Sequence, residues 1–261
     1  MRLLLACIEE LTWPLEEAPP PFLADCLKNA ATGPLSGFPP GEEAWLAAGE
    51  PFWPRLAAEG FKLGLMNLPG LWPPQALPGF MVCRRPPGAG RTDWTHPAQL
   101  SRDLGDYPQP QALPPDAGAW RDALRDTAFA QAAALARLRY EHFQRLCAQW
   151  RVEVGALGWS ALAASRQLFG VASRRTDLML AQLDAYLSWL RDRFRPQALA
   201  VAGLGAEDRP GFLAVMAPGL VRPQSLEPVP WNKLLAVLPD LAQARPLAPG
   251  WEDEPAPEAQ P

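Results

Sequence analysis

Residues 60–69 read GFKLGLMNLP, and this stretch decides the fold class. Its apolar centre at 62–67 predicts a short buried strand, because Gly60 and Pro69 interrupt regular structure on either side. A second apolar strand is predicted downstream, at 79–83. Short apolar strands bounded by glycine and proline are typical of the interior of a parallel sheet.

Outward from these strands, apolar segments alternate with helical patterns. The clearest helix begins after Ser173, an expected N-cap, and carries apolar residues alternately four and three apart until Pro196. In another helix, at 120–150, Leu124 and Leu146 are expected on one apolar face. The remaining predicted elements are helices at 22–29, 51–59 and 231–238, strands at 3–8, 152–159, 198–202 and 212–216, and a loop at 101–115.

This alternation predicts an α/β fold, a mainly parallel sheet with helices on both faces. In such sheets ligands gather at the carboxyl ends of the strands. Functional residues are therefore expected directly after each predicted strand.

Composition and charge set the limits of the domain. The chain has 261 residues, of which 48% are hydrophobic and 20% charged, so it can bury a sizeable core. We predict one domain at 1–245 and a disordered, proline-rich acidic tail at 246–261. The tail holds four acids and neither Lys nor Arg, and the chain's net charge is −4, so the body is formally neutral.

The same observations exclude several classes of protein. A neutral body argues against nucleic-acid binding, which needs a concentrated basic face. No apolar run approaches the length of a membrane span, and the apolar start is too short for an export signal. The four cysteines are far apart, as expected of reduced thiols in a cytoplasmic protein.

The central segment also carries a family resemblance. Residues 60–69, with WPP at 72–74 and GFMV at 79–82, closely resemble the type I phosphodiesterase/nucleotide pyrophosphatase family of the alkaline phosphatase superfamily. Weaker similarity extends over 1–220. The resemblance implies an alkaline-phosphatase-like core, here reduced in size, and a family chemistry that uses two zinc ions, a Thr or Ser nucleophile, and Asp and His ligands.

The first family motif is altered in this chain. Strand 3–8 is followed by EELTW at 9–13, where the family pattern is D-G-x-T-W. Glu9 stands in place of the metal-binding Asp, and its longer side chain moves the carboxylate. Glu10 replaces the Gly, which predicts the loss of a tight turn.

The nucleophile motif is altered as well. The family pattern P-P-x-T-x-P-A-W-T-S corresponds to PPGEEAW at 39–45, which contains neither Ser nor Thr. A carboxylate at Glu42 or Glu43 would repel a phosphate group rather than attack it.

The later metal ligands are replaced too. The pattern F-T-x-x-D-R-x-Q-H corresponds to WSALAASRQ at 159–167, so that Ala163 and Gln167 replace the Asp and the His. The pattern S-D-H-G corresponds to AGLG at 202–205. The chain has only two histidines, His96 and His142, whereas the zinc pair uses three, so no metal cofactor is expected.

Three functions remain open. The first is a catalytically inactive homologue that acts as a binding or assembly subunit with an unknown protein partner. The second is a phosphoester hydrolase with a rebuilt site, in which Glu9 and Glu42 or Glu43 serve as acid and base or as ligands of a hard cation. The third is a protein that binds a nucleotide or another anion without hydrolysing it.

Polar residues at the predicted strand ends form the candidate pocket. They either line a residual binding site or only satisfy backbone groups at the edge of the sheet. These residues are Glu9, Thr12, Asn67, Arg84 and Arg85.

Overall fold

The computed structural model describes residues 1–12, 14–15, 19–36, 51–84, 94–105, 107–108, 113–205, 209–218, 220 and 224–245. The predictions for Glu42, Glu43, Arg85 and the tail at 246–261 lie outside these ranges.

Ten strands and seven α-helices lie in the described ranges. The strands are β1 (Leu3–Glu9), β2 (Ala31–Ser36), β3 (Leu63–Met66), β4 (Gly79–Val82), β5 (Thr95–His96), β6 (Val154–Trp159), β7 (Ala198–Leu204), β8 (Gly211–Met216), β9 (Gln224–Ser225) and β10 (Val229–Pro230). The helices are α1 (Pro21–Asn29), α2 (Phe52–Ala58), α3 (Leu100–Asp103), α4 (Asp122–Trp150), α5 (Ala161–Phe169), α6 (Arg174–Phe194) and α7 (Trp231–Ala242).

The strands form one sheet in the order β10-β2-β8-β7-β1-β6-β3-β4-β5, with β9 also paired to β2. The five consecutive strands from β7 to β4 are mutually parallel. Strand β8 runs antiparallel to β2 and β7, and β5 runs antiparallel to β4. The predicted α/β class with a mainly parallel sheet is confirmed.

Strand β1 shows why helices cover both faces of the sheet. All but its last residue are buried, because its side chains alternate between two apolar layers. Leu4 and Ile8 belong to the layer that contains residues of α1, α4, α5 and α6. Leu3 and Leu5 belong to the opposite layer, which contains residues of α2 and α7.

Helix α4 differs from its predicted orientation. Leu146 is buried as expected, but Leu124 is 51% exposed. The buried stripe instead includes Ala136, Arg139 and Phe143, spaced by three and four residues. A charged residue thus occupies a position in the buried stripe, which the prediction did not anticipate.

The sequence did not predict β2, β5, β9, β10, α3 or α5, and the prediction of one loop was partly wrong. Strand β2 contains Gly33 and Pro34, which argue against a strand interior. Helix α5 follows β6 directly. Helix α3 occupies the start of the segment expected to be a loop at 101–115. No helix in the described ranges combines the length and apolar character that crossing a membrane requires.

Helix α1 takes its N-terminal cap from a distant helix. It begins at a pair of prolines and has no side-chain cap of its own. The carboxylate of Asp184, in α6, accepts hydrogen bonds from the backbone N–H groups of Phe22 (3.0 Å) and Leu23 (2.7 Å). The first N–H groups of a helix need such acceptors, and a negative charge is favourable there.

We expect Asp184→Ala to lower the free energy of unfolding by about 1–3 kcal/mol, because two buried N–H groups lose their acceptor. Urea unfolding followed by circular dichroism measures this change. The matched control is Asp192→Ala in the same helix, whose carboxylate is exposed and should matter by less than about 0.5 kcal/mol. Equal effects of the two substitutions would contradict the capping role.

Candidate functional site

The candidate site lies at the carboxyl ends of β1, β3, β4 and β6. These strands are parallel neighbours, so the residues that follow them meet at one edge of the sheet. Glu9 ends β1, Asn67 follows β3, Arg84 follows β4 and Ser160 follows β6. This arrangement brings together three of the five residues predicted for the pocket, namely Glu9, Asn67 and Arg84.

Glu9 and Arg84 form an ion pair across this edge. The Arg84 guanidinium contacts the Glu9 carboxylate, and their side chains are 13% and 22% exposed, respectively. A salt bridge that is largely removed from water has a stronger Coulomb attraction than a surface pair. Glu9, which the sequence comparison aligned with a metal-binding Asp, is therefore engaged by an arginine.

A second arginine lies beside the first. Arg139 belongs to α4 and is 1% exposed. Its Nη1 lies 3.4 Å from the Gly158 carbonyl oxygen and 3.4 Å from Ser160 Oγ, so it reaches the carboxyl end of β6. Burial, followed by the positive charge of Arg139, lowers the pKa of Arg84 to about 9.

Asn67 and Tyr107 contribute further polar groups to this site. Asn67 is fully buried, adopts a left-handed backbone conformation (φ 54°) and donates from Nδ2 to the Tyr107 hydroxyl at 2.6 Å. Arg139 also hydrogen-bonds that hydroxyl. Burial raises the pKa of Tyr107, which keeps the phenol neutral. Its ring stacks on Trp94 at a centroid distance of 5.6 Å, which fixes its position.

The turn after β1 is kept, contrary to the expectation from the missing glycine. Glu10 adopts φ 61°, the left-handed conformation that a glycine would adopt without strain. Arg166, from α5, donates a hydrogen bond to the Glu10 carbonyl oxygen. Burial raises the pKa of the Glu10 carboxyl, while the charge of Arg166 opposes this shift. An arginine therefore holds a turn that the sequence alone does not favour.

We expect Glu10→Gly to raise the free energy of unfolding by up to about 1 kcal/mol, because glycine relieves the left-handed strain. Glu10→Ala removes the carboxylate but keeps the strain, so it should give no such gain. Thermal unfolding of both variants separates the two effects. If Glu10→Ala raises the free energy of unfolding more than Glu10→Gly does, the carboxylate of Glu10, rather than its backbone conformation, destabilises the native turn.

The other positions that the sequence comparison aligned with metal ligands have structural contacts in this fold. A Cβ atom on Gly203 would lie 2.1 Å from the Leu11 carbonyl oxygen, so the turn after β1 fills this space. Leu204 is buried in the core. Gln167 donates to the carbonyl oxygens of Leu113 (3.3 Å) and Pro114 (2.9 Å) and so fastens that segment to α5.

Thr12 and the two histidines have other described contacts. Thr12 is buried and forms an isolated bridge with Gly211 of β8. His96 belongs to β5, and His142 contacts the edge of the Tyr107 ring. Within the described ranges, no cluster of three or more His, Cys, Asp or Glu side chains could hold a metal ion. The described residues therefore do not fit a zinc pair.

Sequence reasoning missed Arg139, Arg166 and Tyr107. Tyr107 lies in the GDYP segment at 105–108, and its partner Asn67 is forty residues away along the chain. Arg139 carries a usable signal, because it occupies the helical register of Ala136 and Phe143. A charged residue in an apolar register requires a buried counterpart.

The sequence matches no protein-family model and no curated protein. Among solved structures, the fold is similar to that of Ps i-CgsB in complex with k-i-k-neocarrahexaose, with a TM-score of 0.52 and 11% identity over 96% of this chain and 73% of that chain. The lipoteichoic acid synthase LtaP from Listeria monocytogenes gives a TM-score of 0.49 and 10% identity over 92% of this chain and 71% of that chain. At these identities the likeness concerns the fold alone. It supports the α/β fold and does not test the resemblance to the phosphodiesterase family.

Proposed function

We propose that this chain is a catalytically inactive homologue of metal-dependent phosphodiesterases that acts as a binding or assembly subunit. The ion pair between Glu9 and Arg84 carries the proposal. A divalent cation at Glu9 would lie against the Arg84 guanidinium, and like charges at such a distance repel strongly in a site with little water. The positive charge of Arg84 thus lies beside the Glu9 carboxylate, where a metal cation would otherwise lie.

The backbone around Gly203 supports the same proposal. Gly203 stands where the family has an Asp, and its surroundings leave no room even for a Cβ atom. Recovering the ligand would require movement of the turn at Leu11, in addition to a substitution. The site has therefore been rebuilt around different contacts.

The direct test measures metal content after mild purification, together with hydrolysis of aryl phosphate, aryl phosphodiester and aryl sulfate substrates. We expect metal well below one ion per chain and no turnover above that of Glu9→Gln. Stoichiometric zinc, with turnover that Glu9→Gln abolishes, would refute the proposal.

The alternative function, a rebuilt carboxylate site, is open to the same assays. It requires Glu9 to act with Glu42 or Glu43, which lie outside the described residues. The engagement of Glu9 by Arg84 weakens this alternative. Turnover that disappears in a Glu42→Gln, Glu43→Gln double variant would establish it.

We also propose a protein partner and a cytoplasmic location for this subunit. The state of the thiols supports the location, because Cys7, Cys26, Cys83 and Cys147 are all free and buried. Unpaired cysteines are the ordinary state in a reducing compartment. Burial raises the pKa of Cys7 to about 12, so this thiol is unreactive.

A further inference from the structure

The amino ends of four neighbouring parallel strands carry a row of positive charges, which we call the basic edge. Lys62 directly precedes β3, and Arg2 directly precedes β1. Arg151 and Arg195 lie three residues before β6 and β7, respectively. All four residues are exposed. The strands are adjacent in the order β7-β1-β6-β3, so the basic edge spans about 15 Å.

In the described part of the chain, a single acid pairs with the basic edge. Glu153 lies 3.8 Å from Arg2, and both side chains are well exposed. The side chains of Lys62, Arg151 and Arg195 form no ion pair with any described residue. Like charges along one edge repel each other, so a negatively charged segment lying there would lower the electrostatic free energy.

The described part of the chain also ends on this side of the sheet. The C-terminal end of α7 lies beside the C-terminal end of α2, because Gln243 donates a hydrogen bond to the carboxylate of Glu59. Glu59 is only three residues before Lys62, which belongs to the basic edge. The last described residue, Arg245, follows two residues after Gln243. The sequence that comes next is therefore attached close to the basic edge.

That sequence has the complementary charge. Residues 246–261 contain four acids and neither Lys nor Arg, and the acids fall at 252–258. Glu252 is seven residues beyond Arg245, and an extended chain of that length reaches about 23 Å. This reach exceeds the width of the basic edge, so the acids can lie against it without any change in the sheet.

We propose that the basic edge is an interaction surface for acidic protein segments, and that the acidic segment 246–261 of the same chain occupies it. The attraction is between exposed charges, so it weakens as the salt concentration rises. The bound segment covers the basic edge against other acidic chains. This surface lies at the opposite edge of the sheet from Glu9 and Arg84, so it is independent of any chemistry at that site.

Carbodiimide cross-linking of the full chain tests the contact, because it joins a carboxylate directly to a lysine amine beside it. At about 20 mM salt we expect peptide mass spectrometry to find a cross-link between Lys62 and an acid at 252–258. Raising the salt to about 0.5 M should lower the yield several-fold, since the added ions screen exposed charges.

Paired substitutions separate charge attraction from mere proximity. Arg151→Asn with Arg195→Asn removes two charges from the basic edge, and Asn tolerates the left-handed backbone at these positions (φ 53° and 43°). We expect the yield of the Lys62 cross-link to fall about three- to tenfold. The matched control is Arg121→Asn with Arg174→Asn, which removes the same charge from the opposite ends of the same two helices. It should leave the yield unchanged.

Circular dichroism establishes that each variant is folded. The proposal is overturned if the wild-type chain gives no such cross-link at low salt, or if neither salt nor the Arg151→Asn, Arg195→Asn pair lowers the yield. An equal loss in the control pair also overturns it, since that result would indicate non-specific charge attraction. A mixture of isotopically labelled and unlabelled chains identifies which chain supplies the acids. Cross-links that join two chains would overturn occupancy by the same chain.

Discussion

Replacing Gly203 with alanine is expected to lower the free energy of unfolding by about 3 kcal/mol or more. The new methyl group would lie 2.1 Å from the Leu11 carbonyl oxygen and 2.8 Å from Leu11 Cβ. Backbone atoms cannot rotate away as a long side chain can, so β7 or the turn after β1 must shift. Urea unfolding monitored by tryptophan fluorescence measures the loss.

Gly60→Ala is the control for this substitution. Gly60 has a left-handed backbone (φ 87°), but no atom lies within 4 Å of its added Cβ. Its replacement should therefore cost only the conformational strain, about 1 kcal/mol. If Gly203→Ala lowers the free energy of unfolding no more than Gly60→Ala does, the backbone at Gly203 does not lie against Leu11 as described.

Replacing Arg84 with methionine is expected to cost about 2–4 kcal/mol at neutral pH, because it leaves the Glu9 carboxylate largely buried without its guanidinium. Methionine keeps much of the side-chain volume, so lost packing contributes little. The loss should be clear in urea unfolding.

A double-mutant cycle isolates the ion pair. Glu9→Gln alone leaves Arg84 without its carboxylate, whereas Glu9→Gln with Arg84→Met removes both charges. We expect the double variant to be more stable than the sum of the single losses predicts, with a coupling of about 1–3 kcal/mol. Purely additive losses would mean that the two side chains do not interact in solution.

Most of the sheet could be predicted from the sequence. Helices cover both of its faces, so its central strands are continuous apolar runs. Strand β1 is an unbroken apolar run, and the four-three stripe of α6 places Leu183 and Leu187 in the core as expected. Strand β2 was missed for a tertiary reason. A Cβ at Gly33 would lie 2.6 Å from the Leu226 carbonyl oxygen, so the glycine is required by a neighbour 193 residues away.

The site was less predictable than the sheet. Glu9 was identified because it occupies a motif position, and the edge of the sheet was identified from topology. The ion pair was not, because Arg84 follows a strand that is separated from β1 by two other strands in the sheet. Arg166 donates a hydrogen bond to the Glu10 carbonyl oxygen. This arginine lies in α5, and the sequence comparison had aligned that helix with a metal-binding motif. Contacts of this kind depend on three-dimensional proximity, which spacing along the chain does not encode.

The position of β1 has a consequence for how the chain folds. Leu3 pairs with Val154 on one side and with Ala198 on the other. During synthesis β1 therefore emerges well before either of its neighbours, β6 and β7, is available. Such long-range pairing slows folding and leaves an apolar strand exposed in the nascent chain. The centre of the sheet is therefore completed late, and the apolar residues 3–8 stay unpaired until β6 and β7 have been synthesised.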